Sequence, residues 1–117
     1  MKFLMFIKHT DNPGQPPQGL MDAMGKFVGE SFGKGILKDT GGLFPPAKST
    51  YIQSKGGKVT IKDGPFTESK EIVGGYALVE TKTREEALAL AKEFMELHRI
   101  HWPEFECVSE VRQVEEF

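Results

Sequence analysis

The chain has 117 residues, 38% hydrophobic and 27% charged, with a formal net charge of −2. That length and apolar content make one domain with one core, and exclude a disordered chain or an array of domains. Its 15 basic and 17 acidic residues form no basic cluster, so the electrostatic footprint of a nucleic-acid binder is missing.

Residues 3–9 read as the first strand. Phe3, Met5 and Ile7 lie on one face and Leu4 and Phe6 on the other, so both faces are apolar and both need cover. The apolar run is shorter than the roughly 7–15 residues of a signal-peptide core. No segment approaches the roughly 20 apolar residues that span a bilayer. Cys107 is the only cysteine, which rules out an internal disulfide and suits a reducing compartment. A cytoplasmic protein is expected, with no membrane partner.

Asn12, Pro13, Gly14, Pro16 and Pro17 then break the chain into a loop. A helix is predicted over 18–33. Leu20, Met24, Phe27 and Val28 share a stripe, flanked by Met21 and Phe32. Gly25, Gly29 and Gly33 form a second row at spacing four, which predicts close approach to a neighbouring element. A short strand at 36–38 ends at Gly41-Gly42. Residues 49–55 and 58–62 predict a hairpin around Gly56-Gly57. After a turn at 63–66 comes a strand at 75–82, apolar on both faces like the first.

The clearest element is a helix over 84–99. Thr83 is its N-cap and Glu86 stands three residues later, a capping box. Ala87, Leu90, Ala91, Phe94 and Leu97 line one face, and Pro103 prevents continuation. A last strand is predicted over 105–114. The order β, α, β, hairpin, β, α, β predicts an α+β protein with a ferredoxin-like split βαβ arrangement, residues 1–117 forming one domain. Two helices cover one face of such a sheet. The second apolar face then needs a cover from outside the chain, most simply a second copy, which predicts a homodimer.

Residues 63–76 read Asp63-Gly64-Pro65-Phe66-Thr67-Glu68-Ser69-Lys70-Glu71-Ile72-Val73-Gly74-Gly75-Tyr76. This resembles the signature of the DGPF group of YCII-related proteins, and Glu110–Val114 is similar to that family's closing strand. The resemblance implies a dimeric α+β barrel. It also implies an association with sigma factors of the extracytoplasmic type, beside which such proteins are often encoded. Many members carry a histidine in the first helix, proposed to act with an aspartate. This first helix has none, and His9, at the end of the first strand, is the nearest candidate.

Asp63 heads a turn, where its carboxylate is able to bond its own backbone two residues on. Its functional reading is a general base at a cleft. Glu68 and Lys70 on the same loop, with Tyr76 beyond it, are candidate ligand-binding residues. His9 is the second candidate catalytic residue, with Asp11 placed to orient its imidazole. Surface ion pairs and a loop histidine are the bland alternatives. His98, His101, Glu104 and Cys107 recur every three residues, but Pro103 breaks the helix among them, so no metal is expected. His98 needs no more than the helix dipole, and Cys107 reads as a small buried side chain. Trp102 and Tyr76 are read as core or interface aromatics. No nucleotide motif is present and no cofactor is expected. Three functions remain: a homodimer binding a small molecule in a cleft near the 63–71 loop, an enzyme acting on a small carbonyl or lactone compound with Asp63 as base, or an accessory partner of a sigma factor.

Overall fold

Residues 1–10, 14–65 and 71–117 are described by the computed structural model. The first strand, β1 (Lys2–His9), lies in the middle of the sheet, as its two apolar faces demand. It is followed by α1 (Gln18–Gly33), β2 (Leu37–Gly42), β3 (Thr50–Lys55), β4 (Lys58–Asp63), β5 (Ile72–Glu80), α2 (Arg84–His101) and β6 (Val108–Gln113). The four-stranded sheet has the order β2-β5-β1-β6, with every neighbour antiparallel. Each helix therefore joins two strands that have a third between them, the ferredoxin-like split βαβ order.

The register divides the side chains between two faces. Phe3 pairs with Val79, Met5 with Ala77 and Ile7 with Gly75 on the face the helices cover. Leu4 pairs with Leu78 and Phe6 with Tyr76 on the opposite face. The core is the first set, Phe3, Met5 and Val79, with Leu37 from β2 and Ala87 and Ala91 from α2.

The predicted capping box closes α2. The Glu86 N–H donates to Thr83 Oγ1 at 3.2 Å. The return bond goes one residue earlier than expected, from the Lys82 N–H to Glu86 Oε2 at 3.2 Å. Four sequence expectations change: the strand predicted over 75–82 is β5 at Ile72–Glu80, and three others follow. β2 runs through Gly41 and Gly42, because these pair with Tyr76 and Gly75 of β5. β6 starts at Val108 rather than 105, since Phe105 N–H is used in a turn on Trp102 O. The row Gly25, Gly29 and Gly33 makes no close approach: a Cβ at any of them would meet nothing within 4 Å.

β3 and β4 form a hairpin of their own, the second sheet, around Gly56 and Gly57, both with positive φ. The Cα radius of gyration is 16.2 Å, against about 13 Å for a compact chain of this length. A projecting hairpin of this kind accounts for such an excess.

Candidate ligand-binding site

A cavity of about 590 Å³ lies between the sheet and the two helices. Its existence has two causes in the sequence. One is the bare end of the sheet. Ile7, Gly75 and Gly42 stand in one row across β1, β5 and β2, so two of three positions there offer no side chain. The other is α1. Its stripe carries Met24, Phe27 and Val28, which border the cavity and are only half-buried.

One wall is aromatic. Phe27 of α1 meets Phe94 of α2 with centroids 5.7 Å apart. Phe94 meets His98 edge-on at 4.9 Å. Phe105 follows, 6.3 Å from His98, with Trp102 stacked on it at 4.5 Å and 23°. His9 closes the row, tilted against Phe105 at 5.4 Å.

His9 reaches this wall because of a bulge. The pairing of β1 with β5 shifts between Ile7 and Lys8, where Gly74 is the extra residue. A Cβ on Gly74 would come within 3.1 Å of the His9 ring, so a side chain there would push the ring from its place by a few tenths of an ångström. The Gly74-Gly75 pair thus seats the imidazole and keeps the cavity open.

His98 is the residue that sequence reasoning missed. It is 7% exposed and borders the cavity. Its Nδ1 lies 3.0 Å from Phe94 O. A carbonyl only accepts, so Nδ1 carries the hydrogen and the neutral ring keeps its lone pair on Nε2. The signal was present in the sequence: His98 lies on the stripe of Ala87, Ala91 and Phe94 at helical spacing. The dipole argument put it at a solvated helix end instead.

The other predicted residues separate. Tyr76 borders the cavity, but strand alternation puts its ring on the opposite face, where its hydroxyl donates to Asp39 Oδ2 at 3.1 Å. That bond holds the tyrosine pKa above its ordinary value. Asp63 is exposed at the end of β4 and is not among the residues that border the cavity. Its carboxylate accepts from Thr50 Oγ1 at 2.7 Å, closing the hairpin base. The expected bond to backbone two residues on does not form, because that residue is Pro65, which has no N–H. Glu68, Lys70 and Asp11 lie outside the described residues. His98 and His101 part company, one buried and one exposed. Among the described residues no three His, Cys, Asp or Glu gather as metal ligands. Cys107 is half-buried, and burial pushes its thiol up, away from the reactive thiolate. No helix among the described residues is long and apolar enough to cross a membrane.

No curated protein matches the chain significantly. Among solved structures, the fold is similar to that of 5-chloro-2-hydroxyhydroquinone dehydrochlorinase from Burkholderia phenoliruptrix AC1100, solved in complex with 2,5-dihydroxybenzoquinone. The TM-score is 0.52 at 15% identity, covering 100% of this chain and 96% of the other. The model of the YCII-related domain matches residues 1–96, which takes in β1 through most of α2 and every glycine that shapes the cavity, and the chain belongs to that family.

Proposed function

We propose that this protein is a homodimer that binds a compact, largely apolar small molecule in the cavity between its sheet and helices. The observation that carries the reading is the cavity itself: about 590 Å³, with an aromatic wall and two imidazoles, His9 and His98. Ligand sites commonly have about 300–1,000 Å³ and a few convergent polar groups on an apolar lining. A flat ring stacked near Trp102 and Phe105, with an oxygen at His98 Nε2, suits these walls. The dihydroxybenzoquinone bound by the dehydrochlorinase of similar fold is a molecule of this kind.

The dimer reading rests on the opposite face of the sheet. Leu4, Phe6 and Leu78 stand there, half-buried, with no helix among the described residues in the core cluster on their side. An apolar sheet face of this kind is the sort that copies of a chain bury against each other.

Trp102 is the only tryptophan and borders the cavity, so its emission reports on occupancy. Titration with hydroxyquinones, small lactones and aromatic acids is expected to give saturable quenching for at least one class. Gly42→Val, which puts a side chain on the bare end of the sheet, is expected to weaken that binding and leave the fold intact. No response across the panel, together with a native mass spectrum free of adducts, would count against a ligand site.

A second reading is favoured by the fixed tautomer of His98. With Nδ1 committed to Phe94 O, Nε2 is placed to take a proton from a hydroxyl or an acidic C–H of the bound molecule. His9, across Phe105, is the second titratable group at the cavity. On this reading His98→Gln loses turnover and keeps ligand affinity. Asp63→Asn loosens the hairpin base and leaves turnover unchanged.

A further inference from the structure

The polar atoms still open at the cavity define the chemistry it takes. Of the described residues that border it, none is Asp, Glu, Lys or Arg. An ion entering there meets no opposite charge among them, and an unpaired buried ion costs far more than a hydrogen-bonded neutral group. Ser31 and Thr40 also border the cavity, but their hydroxyl hydrogens are given to Phe27 O and Tyr76 O, each at 2.8 Å.

His98 and Ser109 each keep a polar atom open. His98 is 7% exposed, and its hydrogen bond is made through Nδ1. No fully buried side-chain nitrogen or oxygen among the described residues lacks a partner, so Nε2 opens on the cavity that His98 borders. With the hydrogen on Nδ1, Nε2 of the neutral ring only accepts. A hydroxyl suits it. A carbonyl, an ether or a carboxylate brings no hydrogen to it. Ser109 pairs with Ile7 and stands two residues from Val111, which packs on the core. Strand alternation therefore turns its hydroxyl to the helix-covered face, where Ser109 borders the cavity. That hydroxyl bonds to no described residue. Ile7 lies two residues from His9, and the His9 and His98 rings both neighbour Phe105. The two open groups thus belong to one end of the cavity.

We infer that the ligand is an uncharged hydroxy compound, a ring whose hydroxyl donates to His98 Nε2 and whose second oxygen meets the Ser109 hydroxyl. Un-ionised phenols and hydroxy ketones fit this description. Carboxylates, phosphates and amines do not. The inference deepens the ligand-binding reading above and rests on it.

The test is calorimetric titration at neutral pH with hydroxyacetophenone, methoxyacetophenone and acetylbenzoate, in their meta and para isomers. These share a ring and an acetyl oxygen and differ in the group offered to His98. Hydroxyacetophenone is expected to bind tightest, with the methyl ether about tenfold weaker and the carboxylate weaker still. Nitrogen NMR should show the His98 Nε2 resonance moving with hydroxyacetophenone while Nδ1 keeps its hydrogen. His98→Phe, which keeps a ring beside Phe94, should abolish the preference for the hydroxyl, with circular dichroism checking the fold. Ser109→Ala should weaken hydroxyacetophenone by about threefold to tenfold. Equal binding of hydroxyacetophenone and its ether overturns the inference and leaves the ligand site standing. So does tight binding of acetylbenzoate with a hydrogen on both His98 nitrogens. An affinity that Ser109→Ala leaves unchanged overturns the second contact. No binding of any probe at millimolar concentration overturns both the inference and the site.

Discussion

The two helices cover the same sheet in different ways. α2 lies against it: Ala87 is 0% exposed and Ala91 7%, both in the cluster with Phe3 and Val79. α1 buries only Leu20 and Ser31. Ser31 is tolerated inside because its hydroxyl donates to Phe27 O at 2.8 Å. The difference lies in the side chains that meet the sheet. Alanines let α2 come close. Met24, Phe27 and Val28 of α1 border the cavity over Gly42 and Gly75, and Val28 also packs against the core. Both helices line the cavity, α2 through Phe94 and His98, and α2 alone adds Ala87 and Ala91 to the buried core cluster.

The sharpest way to break this comparison is on the α2 side of the sheet. Phe3 is 2% exposed, and Phe3→Ala is expected to cost about 3–5 kcal/mol in denaturant unfolding. A loss below about 1 kcal/mol there would mean the core lies elsewhere. Ala87→Leu forces bulk between α2 and the sheet at a position away from the cavity and is expected to cost about 1–3 kcal/mol, whereas Met24→Ala, at the cavity, should cost less and act chiefly on ligand affinity. If Met24→Ala proves as damaging as Ala87→Leu, Met24 is packed as tightly as the α2 alanines and does not border open space.

A smaller effect has the opposite sign. Gly29 is exposed, and a Cβ there meets nothing within 4 Å. Gly29→Ala is expected to stabilise the protein by about 0.5–1 kcal/mol, read from the same unfolding curves. A destabilising result would show that the glycine row packs on something, most simply another copy.

The smallest effect is at the rim of the uncovered face. Lys8 Nζ donates to Glu110 Oε1 at 3.0 Å and lies 3.3 Å from Glu71 Oε2. The hydrogen bond from Lys8 holds the Glu110 carboxyl below the usual carboxylate range. Its share of stability is present above that range and lost as pH falls through the folded value. Bonding to Glu110, and next to Glu71, raises Lys8 above the usual lysine range. That share is full below the ordinary lysine value and lost as pH rises through the raised one. Melting temperature against pH should therefore sag at both ends, and Lys8→Met should flatten both. A profile that Lys8→Met leaves unchanged would show that this exposed cluster adds nothing measurable.

Much of the fold was readable because it follows from local rules. The split βαβ order, the box at Thr83 and Glu86, the Gly56-Gly57 turn and the two-faced β1 each depend on residues close in sequence, and each stands in the structure. The site was not readable in the same way. His9 was singled out, yet its place depends on the bulge at Gly74, which is set by pairing across β1 and β5. Asp63 drew attention through its signature, and the structure spends its carboxylate on Thr50 across the hairpin. His98 looked like a helix-end charge until the sheet and Phe105 closed around it.

The sequence by itself determined the elements, their order and the demand for cover on both faces of β1, because periodicity and capping are properties of neighbouring residues. Only the tertiary structure decided which histidines share a cavity, which residues of each helix line it, and that Ile52, Val59 and Ile61 of the hairpin are exposed. Those depend on strand register and on side-chain bulk between elements far apart in the chain, and no local pattern encodes either.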